Sequence, residues 1–330
     1  MKHLAHQVQE LKMTFEDRPF PDDLDLAIEV IGALPNLRKL RLAGESKNWW
    51  KPWEGKGKKK DLTDLRKVIT QAQDLRVLIL PRLSFDPINT YHLLDSLKRL
   101  ERFKGELSAP RDGSLPPLNL SLTDLNVIHH NTRRDLEFYL TASFLTLRYL
   151  RLHFDGFVPL ISLSALTNLA HLVTTIEPSR LLSVPFPSGL ILTSLKSCQE
   201  LPNLSSLTLN LRSRGTLDAS ILTLTSQFVI SGLPRNIETL AVGPHAFRHF
   251  PGRGGFLDHA RSRYPRLTTL KLGANSMRML GEGVNTDASR NETMFQVSDV
   301  KGAYGIDVQW LKGKAWEGRL DRDFAEVRDF

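Results

Sequence analysis

The chain has 330 residues, of which 41% are hydrophobic and 24% are charged, and its formal net charge is +8. This composition is ordinary for a soluble protein, and no apolar run approaches the roughly 18 residues that span a bilayer. The first ten residues lack the apolar core of a signal peptide, and the single cysteine, Cys198, excludes intrachain disulfides and cysteine-based zinc sites. These features predict an intracellular protein, of the cytoplasm or the nucleus, without a transmembrane segment.

A short phrase recurs along the chain: an apolar residue, two variable residues, leucine, one variable residue and another apolar residue. In chain order its nine copies begin at positions 8, 37, 75, 122, 147, 169, 204, 237 and 267, and a degenerate tenth begins at Leu100. The alternation that ends each phrase predicts a strand. The steps between copies, from 22 to 38 residues, fit a repeat of roughly 20–29 residues with longer helices or insertions in some copies.

Helices are predicted between these strands. Helical spacing of apolar residues indicates Asp22–Ile31, a helix with Asp61 as its N-cap, Pro87–Leu97, Arg133–Ala142, Asp218–Ile230 and Gly255–Arg263. Junctions such as Leu34-Pro35-Asn36-Leu37 and Leu201-Pro202-Asn203-Leu204 lead into the next strand, and their proline cannot continue a helix. The repeated unit is therefore helix, turn and strand.

Stacking of this unit predicts an α/β fold, a right-handed solenoid of horseshoe form with parallel strands on the concave face and helices on the convex face. A doubly wound α/β domain is the alternative, although its buried strands usually read as continuous apolar runs.

A shift in composition near Gly281–Gly283 divides the chain. All but two of the leucines precede this point, and from Gly281 onward 7 Lys and Arg face 10 Asp and Glu. We therefore expect a repeat array over residues 1–283 and a C-terminal cap or tail over residues 284–330, in which Gly305–Trp310 alternates like a closing strand. The alternative for this segment is a partly disordered acidic tail.

The phrases resemble those of the leucine-rich-repeat family. Leu267-Thr268-Thr269-Leu270-Lys271-Leu272-Gly273-Ala274-Asn275 comes near the full family phrase, whose asparagine the other copies lack, so the family's asparagine ladder is reduced to Asn275. The irregular spacing and the Leu-Pro-Asn-Leu junctions look most like the repeat regions of fungal F-box proteins. In that family an F-box recruits the Skp adaptor of a cullin–RING ubiquitin ligase, and the repeats hold the substrate. Pro21-Asp22-Asp23-Leu24 fits the first repeat's helix better than an F-box start, so a Skp-type adaptor is an expected partner only if an F-box lies upstream.

The resemblance implies a non-catalytic scaffold for protein–protein interaction, as the substrate-recognition part of an F-box-like ubiquitin ligase adaptor. The variable residues of the strands are expected to be exposed on the concave face, where unknown proteins bind. The residues predicted to bind protein are Lys39, Arg41, Tyr149, Arg151, His153 and His171. The alternative is a solvated sheet surface whose charges keep it soluble.

A second candidate site is the insertion at residues 45–60. It predicts an alternative function, a basic anion-binding module for nucleic acid or acidic lipid. Its candidate residues are Trp49, Trp50, Trp53, Lys56, Lys58, Lys59 and Lys60. The competing interpretation is that the tryptophans fold back over the adjacent repeat.

Residue patterns that carry enzymatic chemistry are not found in the sequence. There is no nucleotide-binding glycine phrase, and His245 and His249 lie in a region rich in proline and glycine that does not favour a metal site. We therefore expect no catalytic residues, no metal site and no cofactor.

Overall fold

The computed structural model describes residues 5–15, 21–44, 62–80, 85–107, 115–127, 138–155, 163–177, 197–211, 232–243, 255–273 and 305–311. The chain divides into two compact units, unit 1 (Met1–Leu147) and unit 2 (Arg148–Phe330). The fold is α/β, and the strands within each unit are parallel and follow one another in sequence order. Among the described residues, no helix is both long and apolar enough to cross a membrane.

Every copy of the leucine phrase leads into a strand. In unit 1 the strands are β1 (Glu10–Phe15), β2 (Lys39–Gly44), β3 (Val77–Ile79), β4 (Arg102–Gly105) and β5 (Asp124–Val127). In unit 2 they are β6 (Tyr149–Asp155), β7 (His171–Glu177), β8 (Ser206–Leu211), β9 (Thr239–Val242), β10 (Thr269–Gly273) and β11 (Asp307–Leu311). The parallel strands predicted from the repeated phrase are confirmed, and β11 is the strand predicted from the alternation at residues 305–310.

The degenerate tenth copy of the phrase has a simple steric explanation. In β4 the leucine is replaced by Phe103, and the next inward position holds Gly105. A Cβ atom at Gly105 would lie 2.6 Å from the far end of the Phe103 ring, so any other residue would force the ring to move. The larger ring therefore depends on the glycine, and the two changes together leave the strand intact.

Four α-helices connect the strands in the described parts of the chain. They are α1 (Pro21–Gly32), α2 (Thr63–Gln71) and α3 (Pro87–Ser96) in unit 1, and α4 (Gly255–Arg263) in unit 2. α1 contacts α2 and α2 contacts α3, so the helices follow the order of the strands. Asp86 caps α3 by accepting a hydrogen bond from the Asn89 amide at 3.0 Å, and Pro87 occupies the first turn.

The helix predictions are tested in part. The residue before α2 is Leu62, which makes no side-chain capping bond, and the predicted cap Asp61 lies outside the described residues. Of the helix predicted at 133–142, residues 138–140 are α-helical and a 3₁₀ turn follows at Thr141–Ser143, while residues 133–137 lie outside the described residues. 3₁₀ turns also precede β7 (Leu163–Ala165) and β8 (Ser197–Glu200). The helix predicted at residues 218–230 lies outside the described residues.

The same backbone contact joins most of the described repeats within each unit to the next. The carbonyl of the residue just before a strand accepts hydrogen bonds from two successive amides of the following repeat, such as Arg38 and Lys39 on the Gln9 carbonyl at 2.8 and 2.9 Å. Arg38, Arg76 and Glu101 repeat this arrangement in unit 1. In unit 2 it recurs at Arg148, Ala170, Ser205 and Glu238. The backbone itself therefore fixes the register of each new strand.

Leucine side chains at one register position form the core of each unit. In unit 1, Leu40, Leu78, Phe103 and Leu125 are cross-strand neighbours with at most 2% of their surface exposed. Unit 2 repeats the pattern with Leu150, Leu172, Leu207, Leu240 and Leu270. Each buried leucine stabilises the fold by roughly 1.5–3 kcal/mol relative to an exposed one, and this column of apolar contacts holds successive repeats together.

A polar ladder runs along the proline junctions. The residue immediately before the first apolar position of the phrase reaches back to the preceding repeat. At three junctions this residue is an asparagine whose Nδ2 donates a hydrogen bond to a backbone carbonyl. The bonds run from Asn36 to His6 at 2.7 Å, from Asn203 to Thr167 at 2.8 Å and from Asn236 to Pro202 at 2.8 Å. At the same position, Arg99 and Asp74 form an ion pair between neighbouring repeats. These asparagines occupy a different position in the repeat from the family's asparagine. Asn275 lies outside the described residues, so the expectation of a family ladder reduced to Asn275 stays a prediction.

Candidate functional site

The face of the sheet opposite the leucine column carries the variable side chains, and we call it the variable face. In unit 1 it contains two rows of cross-strand neighbours. Row A consists of Glu10, Lys39, Val77, Arg102 and Asp124. Row B consists of Lys12, Arg41, Ile79, Lys104 and Asn126. Neighbouring strands lie about 4.8 Å apart, so members of one row are within side-chain reach of each other.

The charges of row A are paired with each other. Lys39 Nζ lies 2.5 Å from Glu10 Oε1, and Arg102 Nε lies 3.5 Å from Asp124 Oδ2. Asp124 also accepts a hydrogen bond from the Thr123 hydroxyl at 2.7 Å. Row A is therefore close to electrically neutral and contributes mainly to holding the strands in register.

Row B has cations and no carboxylate. Lys12 and Arg41 are register neighbours on β1 and β2, and Lys104 follows on β4. Arg41 is half-buried, and its Nε atom is buried without a hydrogen-bond partner among the described residues. Like charges on adjacent strands, as at Lys12 and Arg41, are unfavourable in a sheet.

Between the cations of row B lies an aliphatic centre. Val77 in row A and Ile79 in row B are both half-buried on β3. They place a small apolar surface between Arg41 on one side and Lys104 on the other. The variable face of unit 1 thus combines one apolar contact with flanking positive charge.

Four of the six predicted protein-binding residues lie together in unit 2. Tyr149 and His171 are cross-strand neighbours with ring centroids 6.5 Å apart, and Arg151 and His153 follow on the same face of β6. His171 is exposed and Arg151 is half-buried. For His153 only the backbone position is described. Lys39 and Arg41 lie in unit 1, in rows A and B.

The expected exposure of Tyr149 is wrong, since only 2% of its surface is exposed. The same correction applies to other variable positions of the central strands, which are buried. They are Asp124, Asn126, Val173, Thr208, Asn210 and Ala241. In a parallel sheet each side chain is flanked at about 4.8 Å by two others of its row, so small residues such as Ala241, between Thr208 and Lys271, are covered by their neighbours. The accessible candidates in unit 2 are therefore His171 and Arg151.

The sequence interpretation missed Lys12, Arg102 and Lys104. Their strands, β1 and β4, carry the weakest copies of the phrase, and no contact residues were assigned to them. The available signal was the spacing: Arg102 and Lys104 flank Phe103 as Lys39 and Arg41 flank Leu40. The tryptophan and lysine candidates of the insertion at 45–60 all lie outside the described residues, so that site stays a prediction.

Other surfaces show less chemical organisation. An open depression of about 690 Å³ in unit 2 lies at the proline junctions and is lined by Arg235, Arg263 and Leu233, among others. The Asn236 amide group on its wall already donates to the Pro202 carbonyl. No group of three or more His, Cys, Asp and Glu residues within the described ranges is arranged to hold a metal ion. The polar groups named at the depression therefore include one that already links two repeats, and they do not form a cluster suited to catalysis.

Comparisons with known proteins give no family assignment. No protein-family model matches the sequence, and no curated protein matches it either.

Proposed function

We propose that the chain is a leucine-rich-repeat solenoid that binds other proteins through the variable face of its strands and performs no catalysis. The observation that carries this proposal is the alignment of unlike side chains into rows A and B across five strands of unit 1. A repeat scaffold holds such rows rigidly, since the leucine column and the shared backbone hydrogen bonds fix each strand. A preorganised surface loses little side-chain freedom on binding, which favours recognition.

Within this proposal the substrate-recognition part of an F-box-like ubiquitin ligase adaptor is the specific role, in the cytoplasm or nucleus. The sequence resemblance to fungal F-box repeat regions supports it. A partner of the Skp type then requires an F-box upstream of residue 1.

The second candidate function is an anion-binding module for nucleic acid or acidic lipid. The cations of row B favour it, together with the lysines of the insertion that follows β2 in the sequence. Such binding would weaken steeply as salt rises, because it releases counterions.

Photo-crosslinking separates the two functions. A photoreactive phenylalanine derivative would replace Ile79 on the variable face, and Leu26 on α1, 53% exposed, as the matched control. After irradiation in extract from the source organism, we expect adducts at position 79 that protease removes and nuclease does not. Yields at 79 no higher than at 26, or adducts that only nuclease removes, would contradict protein binding through this face.

A further inference from the structure

The outer edge of β1 is an interaction surface separate from the variable face. β1 is the first strand in the order of the sheet, and among the described strands its pairing partner is β2. We infer that β1 binds β1 of a second copy of this chain, antiparallel across a two-fold axis at Leu11. This interaction goes beyond the proposed function, because it uses the edge of the sheet and is independent of what the variable face recognises.

The backbone of β1 directs hydrogen-bonding groups outward. The Gln9 carbonyl accepts a hydrogen bond from the Lys39 amide of the next repeat, so the odd-numbered residues of β1 direct their backbone groups toward β2. Alternate residues of a strand face opposite sides, so the N–H and C=O groups of Glu10, Lys12 and Thr14 point away from β2. β1 has six residues in continuous register with β2 and contains no proline. An edge of this kind is a template for a further strand.

The apolar column is incompletely covered at β1. Leu11 and Met13 occupy the core-facing positions of this strand and are half-buried, whereas their neighbours on β2, Leu40 and Leu42, are each 1% exposed. A terminal repeat that faces water is expected to be polar on its outer side, and leucine and methionine are not. Pairing across an axis at Leu11 would place the two Leu11 side chains together and continue the column into the second copy.

Charge complementarity selects both the second copy and the register. Core-facing residues must meet core-facing residues, because a slip of one residue moves every side chain to the other face. The antiparallel register centred on Leu11 meets this condition and sets Glu10 of each copy opposite Lys12 of the other. Moving the centre by one residue in either direction would instead set Glu10 against Glu10 or Lys12 against Lys12. The edge is therefore complementary to itself in one register, as a two-fold interface requires.

The same pairing supplies row B with the carboxylate it lacks. Lys12 has Arg41 as its neighbour on β2, and Glu10 of the second copy would lie on its other side. Glu10 Oε1 lies 2.5 Å from Lys39 Nζ, and the Glu10 side chain is 64% exposed. A carboxylate accepts hydrogen bonds at both oxygens, so Glu10 can interact with Lys39 and with Lys12 of the second copy together. Opposite charges directly across two strands stabilise their pairing.

The first test is sedimentation equilibrium of the full chain over a range of concentrations. We expect a dimer that dissociates on dilution, because edge-to-edge pairing makes a small interface. Glu10→Lys and Lys12→Glu should each weaken dimerisation at least about tenfold, since each sets like charges opposite one another twice. An equimolar mixture of the two variants should recover the dimer, because every charge then faces its opposite. Arg38→Glu is the matched control at an exposed position outside β1 and should leave dimerisation unchanged.

The outcomes of this test decide the inference. A chain that stays monomeric at every concentration would overturn it. A mixture of Glu10→Lys and Lys12→Glu that stays monomeric while the unchanged chain dimerises would overturn it as well. An equal loss of dimerisation in Arg38→Glu and Lys12→Glu would mean general electrostatic attraction and would have the same consequence.

Disulfide cross-linking tests the register directly. The backbone groups of Leu11 face β2, so the two Leu11 residues would form a non-hydrogen-bonded pair with Cα atoms about 4.5 Å apart, within the range of a disulfide. Leu11→Cys should therefore cross-link into a dimer under mild oxidation. Met13→Cys, on the same face and also half-buried, is the matched control, since its two copies would lie about 13 Å apart along the strands. Both variants keep Cys198, so a cross-link through it would appear in both. Equal cross-linking of the two variants would overturn the inference.

Discussion

Ser143 connects two backbone groups that nothing else satisfies in the described structure. It is fully buried, donates a hydrogen bond from Oγ to the Leu120 carbonyl at 2.7 Å and accepts one from the Leu122 amide at 3.1 Å. These bonds hold the irregular segment that leads into β5. The substitution Ser143→Ala removes one atom, leaves the apolar surface nearly unchanged and leaves both backbone groups buried without a partner.

The expected loss of stability follows from those two groups. A buried group left unsatisfied costs about 1–3 kcal/mol, so the loss of both partners in Ser143→Ala should lower the free energy of unfolding by about 2–6 kcal/mol. Ser96→Ala is the matched control, because the Ser96 hydroxyl donates at 2.7 Å to the Leu93 carbonyl in α3 and is half-buried. Its loss should change stability by less than about 0.5 kcal/mol.

The assay combines urea unfolding, followed by circular dichroism, with amide hydrogen exchange. In Ser143→Ala the Leu122 amide should exchange faster, because it has lost its acceptor, while amides within α3 stay protected. Equal losses of stability in Ser143→Ala and Ser96→Ala, or an unchanged Leu122 amide, would refute the argument that this hydroxyl replaces regular backbone pairing.

Two further predictions concern the repeat contacts of unit 2. Asn236→Ala removes the hydrogen bond to the Pro202 carbonyl and should lower the free energy of unfolding, measured in urea, by about 1 kcal/mol. An unchanged urea midpoint would show that water replaces this hydrogen bond without loss of stability. Gly243→Ala should lower the free energy of unfolding by about 1–3 kcal/mol, because its Cβ would lie 2.6 Å from Asn210 Oδ1 and 3.1 Å from Asn210 Cα. Gly32→Ala is the control: its Cβ meets nothing closer than 3.8 Å, so thermal unfolding should show a neutral or stabilising effect. Similar melting temperatures for the two alanine variants would contradict this steric account.

The strands were predictable because their signal is local and repeated. A leucine phrase of fixed spacing identifies the inward-facing positions of each strand directly. β4 fits the same pattern, with Phe103 and Gly105 at its inward positions. Helices were less predictable where the step between strands is short, as at Thr141–Ser143, because a 3₁₀ turn has no periodic signature of its own.

The candidate surface was harder to predict than the strands. The alternation of side chains along a strand places Tyr149 on the variable face correctly. It carries no information on how neighbouring strands cover that side chain, so the burial of Tyr149 was missed. The pairing of Lys39 with Glu10 and the absence of a carboxylate beside Arg41 depend on cross-strand register, which links residues about 30 positions apart. Asn36 and Asn203 were visible in the Leu-Pro-Asn-Leu junctions, but only the structure shows which carbonyl each asparagine reaches.

Before most described strands, one carbonyl accepts hydrogen bonds from two successive amides of the next repeat, and this makes the array tolerant of duplication. Because register is set by one backbone atom, such as the Glu238 oxygen for Thr268 and Thr269, the length of chain between strands does not enter into it. A copied repeat inserted within a unit would therefore align itself and lengthen each row by one side chain. Each such insertion would lengthen the variable face by one strand.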